Sequence, residues 1–336
     1  MKLLRYRPAV PNFGDDLNDL IWPELAPRLF NGDGGEGANA FVGIGTIIGL
    51  DPQGSERLHV FSSGTGYSDD RRWRGRRVEY HCVRGPVTAR VLELPNNTAL
   101  TDGAILTPLI TRFQEPNASG GTGGTVVVPH FETIAFPGWA EAVGMAGFHL
   151  VDPRGTPDLV ISALKDASLV LTESLHGAIL ADAFGVPWRA FAVSRNFSRA
   201  KWTDWTCSLD LRVDVTLVPP PDAMPLLRFG KPPEAFGSVF ALNEELALGE
   251  FRGRIQTAAE VPFMKARVKQ VLEAIPATRK LLGFSPERTA RALADLAVAD
   301  PCLSSSHRRD ALQDEMLSRL QALEKRYYEQ APVLTA

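Results

Sequence analysis

The strongest chemical signal in the sequence is the run LVLTESLHGAI at Leu169–Ile179. Three apolar residues lead into Thr172, Glu173 and Ser174, and an apolar helical pattern begins at once. That order predicts a buried strand that turns directly into a helix. His176 then falls in the first helical turn, where unpaired backbone N–H groups and the positive dipole end favour an anion. Gly177 leaves room for a ligand to come close. Doubly wound sheets bind ligands beyond the carboxyl ends of their strands, which is where Glu173, Ser174 and His176 fall. The same spacing is met equally well by Ser174 as a helix cap and His176 as a packed side chain.

Other chemistries lack their residues. Gly43–Gly49 (GIGTIIG) approaches a dinucleotide fingerprint, but its third glycine comes one place late. The sequence has no GxSxG elbow for a serine hydrolase, no Walker loop and no DxD triplet for a metal-bound nucleotide sugar. The histidines, among them His59, His81 and His149, show no metal-ligand spacing, so no metal is expected. Cys82, Cys207 and Cys302 lie far apart, which fits a reducing compartment better than a disulfide framework.

The elements that must position His176 read as strands alternating with helices. Strands are expected at Leu3–Tyr6, Phe41–Ile48, Leu58–Ser62 and Val78–Val83. Leu17, Ile21 and Leu25 recur at helical spacing, and Pro86 opens a helix over Val87–Leu94. Glu115–Gly124 (EPNASGGTGG) is Gly-rich and aperiodic, and is read as a linker. Beyond it, strands at Thr125–Pro129, Phe148–Val151, Ser168–Thr172 and Pro187–Val193 enclose helices at Pro157–Ala167 and His176–Phe184. From about Glu244 the pattern is helical, with Val268, Leu272 and Ile275 on one face and Leu312, Met316, Leu320 and Leu323 on another. The domains expected are 1–115, 125–243 and a helical region 244–336.

Composition agrees with a soluble α/β protein. The 336 residues are 44% apolar and 22% charged, which excludes a disordered or disulfide-stapled chain. Thirty-six basic against 39 acidic residues give −3, so no charge imbalance points to nucleic acid. The opening MKLLRYRPAVPNFGDD turns polar too soon for a secretory signal. The longest apolar run, about Ala40–Leu50, falls short of the roughly 18–20 residues that span a bilayer. A cytoplasmic protein is expected.

The segment TESLHGAILADAFGVPWRAF at Thr172–Phe191 resembles the C-terminal signature of the polysaccharide pyruvyl transferase family. Further segments agree in order: NFGDDLN (Asn12–Asn18), SSGTGY (Ser62–Tyr67), VRGPVTA (Val83–Ala89), TDGAIL (Thr101–Leu106), VVVPHFET (Val126–Thr133) and KWTDWTCSL (Lys201–Leu209). The resemblance covers roughly residues 1–210 and implies two Rossmann-like doubly wound domains in a glycosyltransferase-B-like pair with a helical C-terminal extension. It implies transfer of the enolpyruvyl unit of phosphoenolpyruvate to two hydroxyls of one hexose, giving a cyclic pyruvate ketal. The acceptor would be an exopolysaccharide repeat unit on a lipid carrier at the cytoplasmic leaflet. Phosphoenolpyruvate is then a co-substrate, and no cofactor is required.

That chemistry says what to seek. A phosphate and a carboxylate need two cationic or N–H-rich subsites. Arg84 is the first candidate; Arg195, Arg199 and Lys201 are the second group, with Ser174, Leu175 and Gly177 at the helix start. The family often carries Arg just before its Leu-His pair, and this chain has Ser174 there. His176 and His130 suit proton transfer, with Glu173 in support. Asp15 and Asp102 are read as sugar ligands or helix caps, and Trp202 and Trp205 as sugar platforms or core. The basic stretch Val261–Phe284, with Lys265, Arg267, Lys269, Arg279 and Lys280, is a candidate for docking on the inner membrane. A metal-independent glycosyltransferase and a non-catalytic carbohydrate-binding assembly protein are the alternatives.

Overall fold

Short apolar strands that end at glycine or polar residues build two sheets. The computed structural model of the chain describes residues 1–30, 39–65, 70–114, 123–256 and 283–329. The first sheet holds β1 (Lys2–Leu4), β2 (Asn39–Val42), β3 (Arg57–Phe61) and β4 (Arg77–Cys82), side by side in chain order and all parallel. The second holds β5 (Thr125–Val128), β6 (His149–Leu150), β7 (Leu169–Thr172), β8 (Trp188–Ala192), β9 (Asp214–Leu217) and β10 (Val239–Ala241). Its order is β10-β9-β8-β7-β5-β6, parallel except for β10, which runs antiparallel at one edge. The expected α/β class with parallel sheets is therefore present.

The helices are α1 (Phe13–Leu25), α2 (Pro27–Phe30), α3 (Pro86–Val91), α4 (Thr111–Gln114), α5 (Trp139–Met145) and α6 (Pro157–Lys165). They continue as α7 (Leu175–Ala183), α8 (Arg199–Ser208), α9 (Met224–Phe229), α10 (Glu244–Gln256), α11 (Pro286–Ala297) and α12 (Ser306–Glu329). Asn12 caps α1 by accepting from Gly14 N, and Asp15 and Asp16 sit against its positive end. Leu17, Ile21 and Trp22 bury one face of α1 against Phe41 and Phe61. The apolar stretch expected as one strand over 41–48 stops at Val42, because Asn18 takes the backbone of Ile44 that a ladder would use. Gly45 then leaves the extended region at φ +115°.

The C-terminal helices return to the rest of the chain rather than extending from it. α10 packs on α3 and α8, and α11 on α5. In α12, Leu312, Met316, Leu320 and Leu323 are buried, as their spacing predicts. Gln313 donates to Ile105 O at 2.8 Å, Arg319 to His81 O at 3.0 Å, and Arg308 to Ser208 O at 2.7 Å. Residues 115–122 of the expected linker lie outside the described residues. So does nearly all of the basic stretch 261–284, with Val268, Leu272 and Ile275. Among the described residues, no helix is long and apolar enough to cross a membrane.

Candidate active site

The carboxyl ends of the four parallel strands of the first sheet lead to the start of α1 at Asn12–Asp15 and to the loops holding Gly43–Thr46, Ser62–Thr65 and Arg84–Gly85. Asn18 stitches two of these together. Its Oδ1 accepts from Ile44 N (2.8 Å) and Trp22 Nε1 (2.9 Å), while Nδ2 donates to Ile44 O (3.0 Å) and Asp15 O (3.1 Å). An amide that is 1% exposed with all four positions used fixes the loop that carries Ile44 against the first turns of α1, which hold Asp15. Beyond its place in the NFGDDLN segment, nothing in the sequence singles Asn18 out.

Arg84 is 1% exposed and joins the two halves. Its Nε donates to Asp204 Oδ2 at 2.9 Å, Nη1 to Thr46 Oγ1 at 2.8 Å and Nη2 to Thr65 O at 3.1 Å. Asp204, on α8, also accepts from Thr88 N (2.9 Å) and Thr88 Oγ1 (2.6 Å) at the start of α3. A side chain at Gly85 would overlap the Asp204 carbonyl, so α8 reaches this turn only over a glycine.

Opposite lies the opening of α7. Ser174 caps the helix, its Oγ accepting from Gly177 N at 3.3 Å. Leu175 packs half-buried on the core. The approach space beside Gly177 is filled by Thr172 Oγ1, which corrects the expectation that a ligand enters there. Glu173 is 2% exposed. One of its oxygens accepts from His130 N (3.0 Å) and Thr133 Oγ1 (2.6 Å), the other from Val193 N (3.2 Å). Glu173 thus pins the ends of β5, β7 and β8 together, and burial pushes its carboxyl up against these stabilising bonds.

His176 meets the first sheet's loops directly. A methyl group at Gly14 would overlap its Nδ1, and Phe13 touches the ring edge-on at 6.4 Å. His176 Nε2 is buried without a hydrogen-bond partner. Burial lowers its pKa to about 4; the Asp15 carboxylate opposes this, while Arg84 and Lys201 add to it. Asp15, whose Oδ2 accepts from Asn12 Nδ2 at 2.8 Å, is raised by burial and pulled back by His176, Asn12 and Lys201. His130 is lowered to about 3 by burial with help from Lys201, and its Nδ1 accepts from Asn196 Nδ2 at 3.0 Å. Asp15, His176, Lys201, His130 and Arg84 thus form one electrostatic cluster between the two sets of strand ends. Replacing Gly14 by alanine is expected to push the imidazole aside and cost about 1–3 kcal/mol of stability. Chemical denaturation of G14A, with the His176 ring resonances followed by NMR, checks both effects.

The remaining sequence-predicted residues lie elsewhere. Trp202 and Trp205 are 2% and 1% exposed, packed with Trp188 and Phe197, so they are core and offer no face to a sugar. The reason is α8 itself, which is buried on nearly every side and hides its inward face from periodicity. Asp102 is fully buried, its Oδ1 capping Ala104 N at 3.0 Å; no hydroxyl of a polymer reaches it in this arrangement. Its Oδ2 has no partner, and burial raises its pKa to about 6. A raised carboxyl pKa makes the folded state bind the extra proton, so this group's contribution to stability improves as pH falls from about 6 toward 4. In Asp102→Asn that improvement is expected to vanish, which urea unfolding at pH 4.5 and 7 measures against the parent chain. Arg199 turns away from the cluster, its guanidinium 2.5 Å from Glu234 and 3.8 Å over the ring of Phe240. Arg195 and Arg199 line a recess with Glu234 and Phe240.

One pairing is invisible along the chain. His59 on β3 and His81 on β4 bring Nδ1 and Nε2 to 3.1 Å, and Glu79 lies 3.7 Å from the same Nδ1. Spacing along the chain gives no sign of it, because the pairing comes from the β3–β4 register. Among the described residues these three have the make-up of a metal site. The imidazoles are 14° from coplanar, and their 5.4 Å centroid separation sets the two nitrogens head-on, as in an N–H···N bond. Arg57 and Arg77 hold Glu79. The set is therefore described as a hydrogen-bonded pair.

Two largely parallel sheets, whose strand ends gather an imidazole, a carboxylate and two cations, define an α/β protein. Residues 52–195 match the family model described as polysaccharide pyruvyl transferase. The chain is also 34% identical over 216 residues to a succinoglycan biosynthesis protein, ExoV, of Rhizobium meliloti. That match takes in 62% of this chain and 65% of the relative, so it spans slightly less than two thirds of the curated protein. No solved structure matches the chain.

Proposed function

We propose that the chain transfers the pyruvyl unit of phosphoenolpyruvate to two hydroxyls of one hexose in an exopolysaccharide repeat unit, forming a cyclic ketal. The observation that carries this is His176: a neutral imidazole with Nε2 unoccupied, at the first turn of α7, flanked by Asp15, Lys201 and Arg84. The match of residues 52–195 to the pyruvyl transferase family model and the likeness to ExoV support this class of reaction. Two sheets meeting at this cluster are in keeping with a paired Rossmann-like, glycosyltransferase-B-like arrangement.

The reaction adds a proton to C3 of phosphoenolpyruvate and leaves C2 as an oxocarbenium centre. One sugar hydroxyl bonds to C2, the C2–O bond to phosphate breaks, and a second hydroxyl closes the ring. Of the two hydroxyl protons released, one balances the proton taken up by C3 and the other leaves with phosphate. Lys201 and Arg84 oppose the donor's charge; Arg84 does so from within its ion pair with Asp204. His176 Nε2 takes a hydroxyl proton, and Asp15 stabilises the imidazolium that results. Bound anions raise the imidazole pKa from its low resting value toward neutrality. Glu173 holds His130 in place rather than touching substrate. The acceptor's lipid carrier, a cytoplasmic location and membrane contact through 261–284 belong to the same proposal. Purified chain, phosphoenolpyruvate and a lipid-linked oligosaccharide are expected to yield inorganic phosphate and an acid-labile ketal in equal amounts. Release of a nucleotide from a sugar donor, with no ketal, would replace this reading by the glycosyltransferase one.

A further inference from the structure

Beside the reaction cluster, on the other side of the first turn of α8, lies a separate recess of about 200 Å³. Its polar walls are Ser194, Arg195, Arg199, Glu234 and Glu250, and Phe197, Phe240, Pro232 and Pro233 supply apolar surface. Two guanidinium groups face two carboxylates, so the recess carries no net charge. That balance does not suit a donor bearing phosphate and carboxylate, because Glu234 and Glu250 would oppose it. It suits a neutral polyol, whose hydroxyls donate to carboxylates, accept from guanidinium groups and rest an apolar ring face on aromatic carbon.

Two details sharpen the match. Glu234 gives one oxygen to Arg199, while its Oε2 is buried with no partner, an acceptor awaiting a donor. Arg199 is held over the Phe240 ring and by Glu234, and so is positioned before anything binds. Position completes the argument. Ser194 and Arg195 line the recess, and the next residue, Asn196, bonds to His130. Arg199 faces the recess, whereas Lys201, two residues on, acts on Asp15, His176 and His130.

We propose that this recess is a sugar subsite that holds one neutral pyranose of the acceptor, next to the unit that receives pyruvate. The proposal rests on the pyruvyl-transfer reading for its acceptor, but it is tested without turnover. Saturation-transfer NMR on the full chain, with cellobiose, lactose and maltose as probes and no donor, is expected to show binding of at least one disaccharide. Glu234→Gln and Phe240→Ala are expected to weaken that binding about tenfold, the loss of one charged hydrogen bond or one ring face. His176→Ala is expected to leave it unchanged. In the transfer assay the same two variants are expected to raise the acceptor KM about tenfold, with the donor KM within about twofold. Glu234→Gln preserves shape, and Arg195→Ala on the exposed rim gives a third variant should Phe240→Ala fail to fold. Binding that survives all three variants, or that disappears in His176→Ala, overturns the subsite, as does the absence of any disaccharide signal. Cavity-dependent sugar binding without any ketal formed would leave the subsite standing and overturn the pyruvyl-transfer reading alone.

Discussion

His176→Ala is expected to lower ketal formation by about 10²–10⁴-fold, the usual worth of one positioned proton-transfer group. The fold should tolerate the change, because the Nε2 removed has no hydrogen-bond partner to leave behind. A stronger check comes from the groups around it. The Asp15 carboxylate raises the imidazole pKa, and Lys201 lowers it. The acid limb of kcat/KM reports a free-enzyme group, and for His176 it is expected to lie well below pH 6.5. Asp15→Asn should move that limb to lower pH and Lys201→Ala to higher pH. Opposite shifts identify His176 as the titrating group. A limb that stays put in both variants, or a His176→Ala enzyme with full turnover, would remove the imidazole from the reaction. Simple damage to the fold lowers rates without moving the two limbs in opposite directions.

Much of the second half was legible because its chemistry is local. The order apolar strand, Thr-Glu-Ser, helix places His176 at a strand end from adjacent residues alone, and β7 and α7 stand there. Four strands of the first sheet were readable from apolar runs that end at polar or glycine residues. What could not be read is juxtaposition across the chain. Asp15 was a sugar ligand or a cap by its surroundings in sequence; only the contact of the first turn of α1 with the His176 ring sets it there. His59 and His81 meet because β3 and β4 are neighbours, a relation that spacing does not encode. Arg195, Arg199 and Lys201 read as one cationic group, yet helical geometry sends Arg199 and Lys201 to different sides of α8. Trp202 and Trp205 misled for a related reason: a helix buried all round shows no polar face to mark its inside.

Arg84→Met is expected to destabilise the chain by about 3–5 kcal/mol, the cost of leaving a buried charge without its partner. Asp204 would keep its bonds from Thr88 but lose the guanidinium, at 1% exposure for both side chains. Asp204→Leu alone is expected to cost a similar amount, since it strands Arg84 as well as Thr88. The double variant Arg84→Met/Asp204→Leu removes both charges, and should recover a large part of the loss, giving a strong coupling in a double-mutant cycle. Urea denaturation of the four proteins measures this. The same cycle separates the tie to Asp204 from the donor-binding role proposed for Arg84. If the guanidinium only ties α8 to the β4–α3 turn, the restabilised double variant regains transfer activity along with its stability. If it also holds the donor's charge, the double variant folds and binds sugar but keeps a raised KM for phosphoenolpyruvate. Costs that simply add would deny the ion pair its place as the joint between the two sheets.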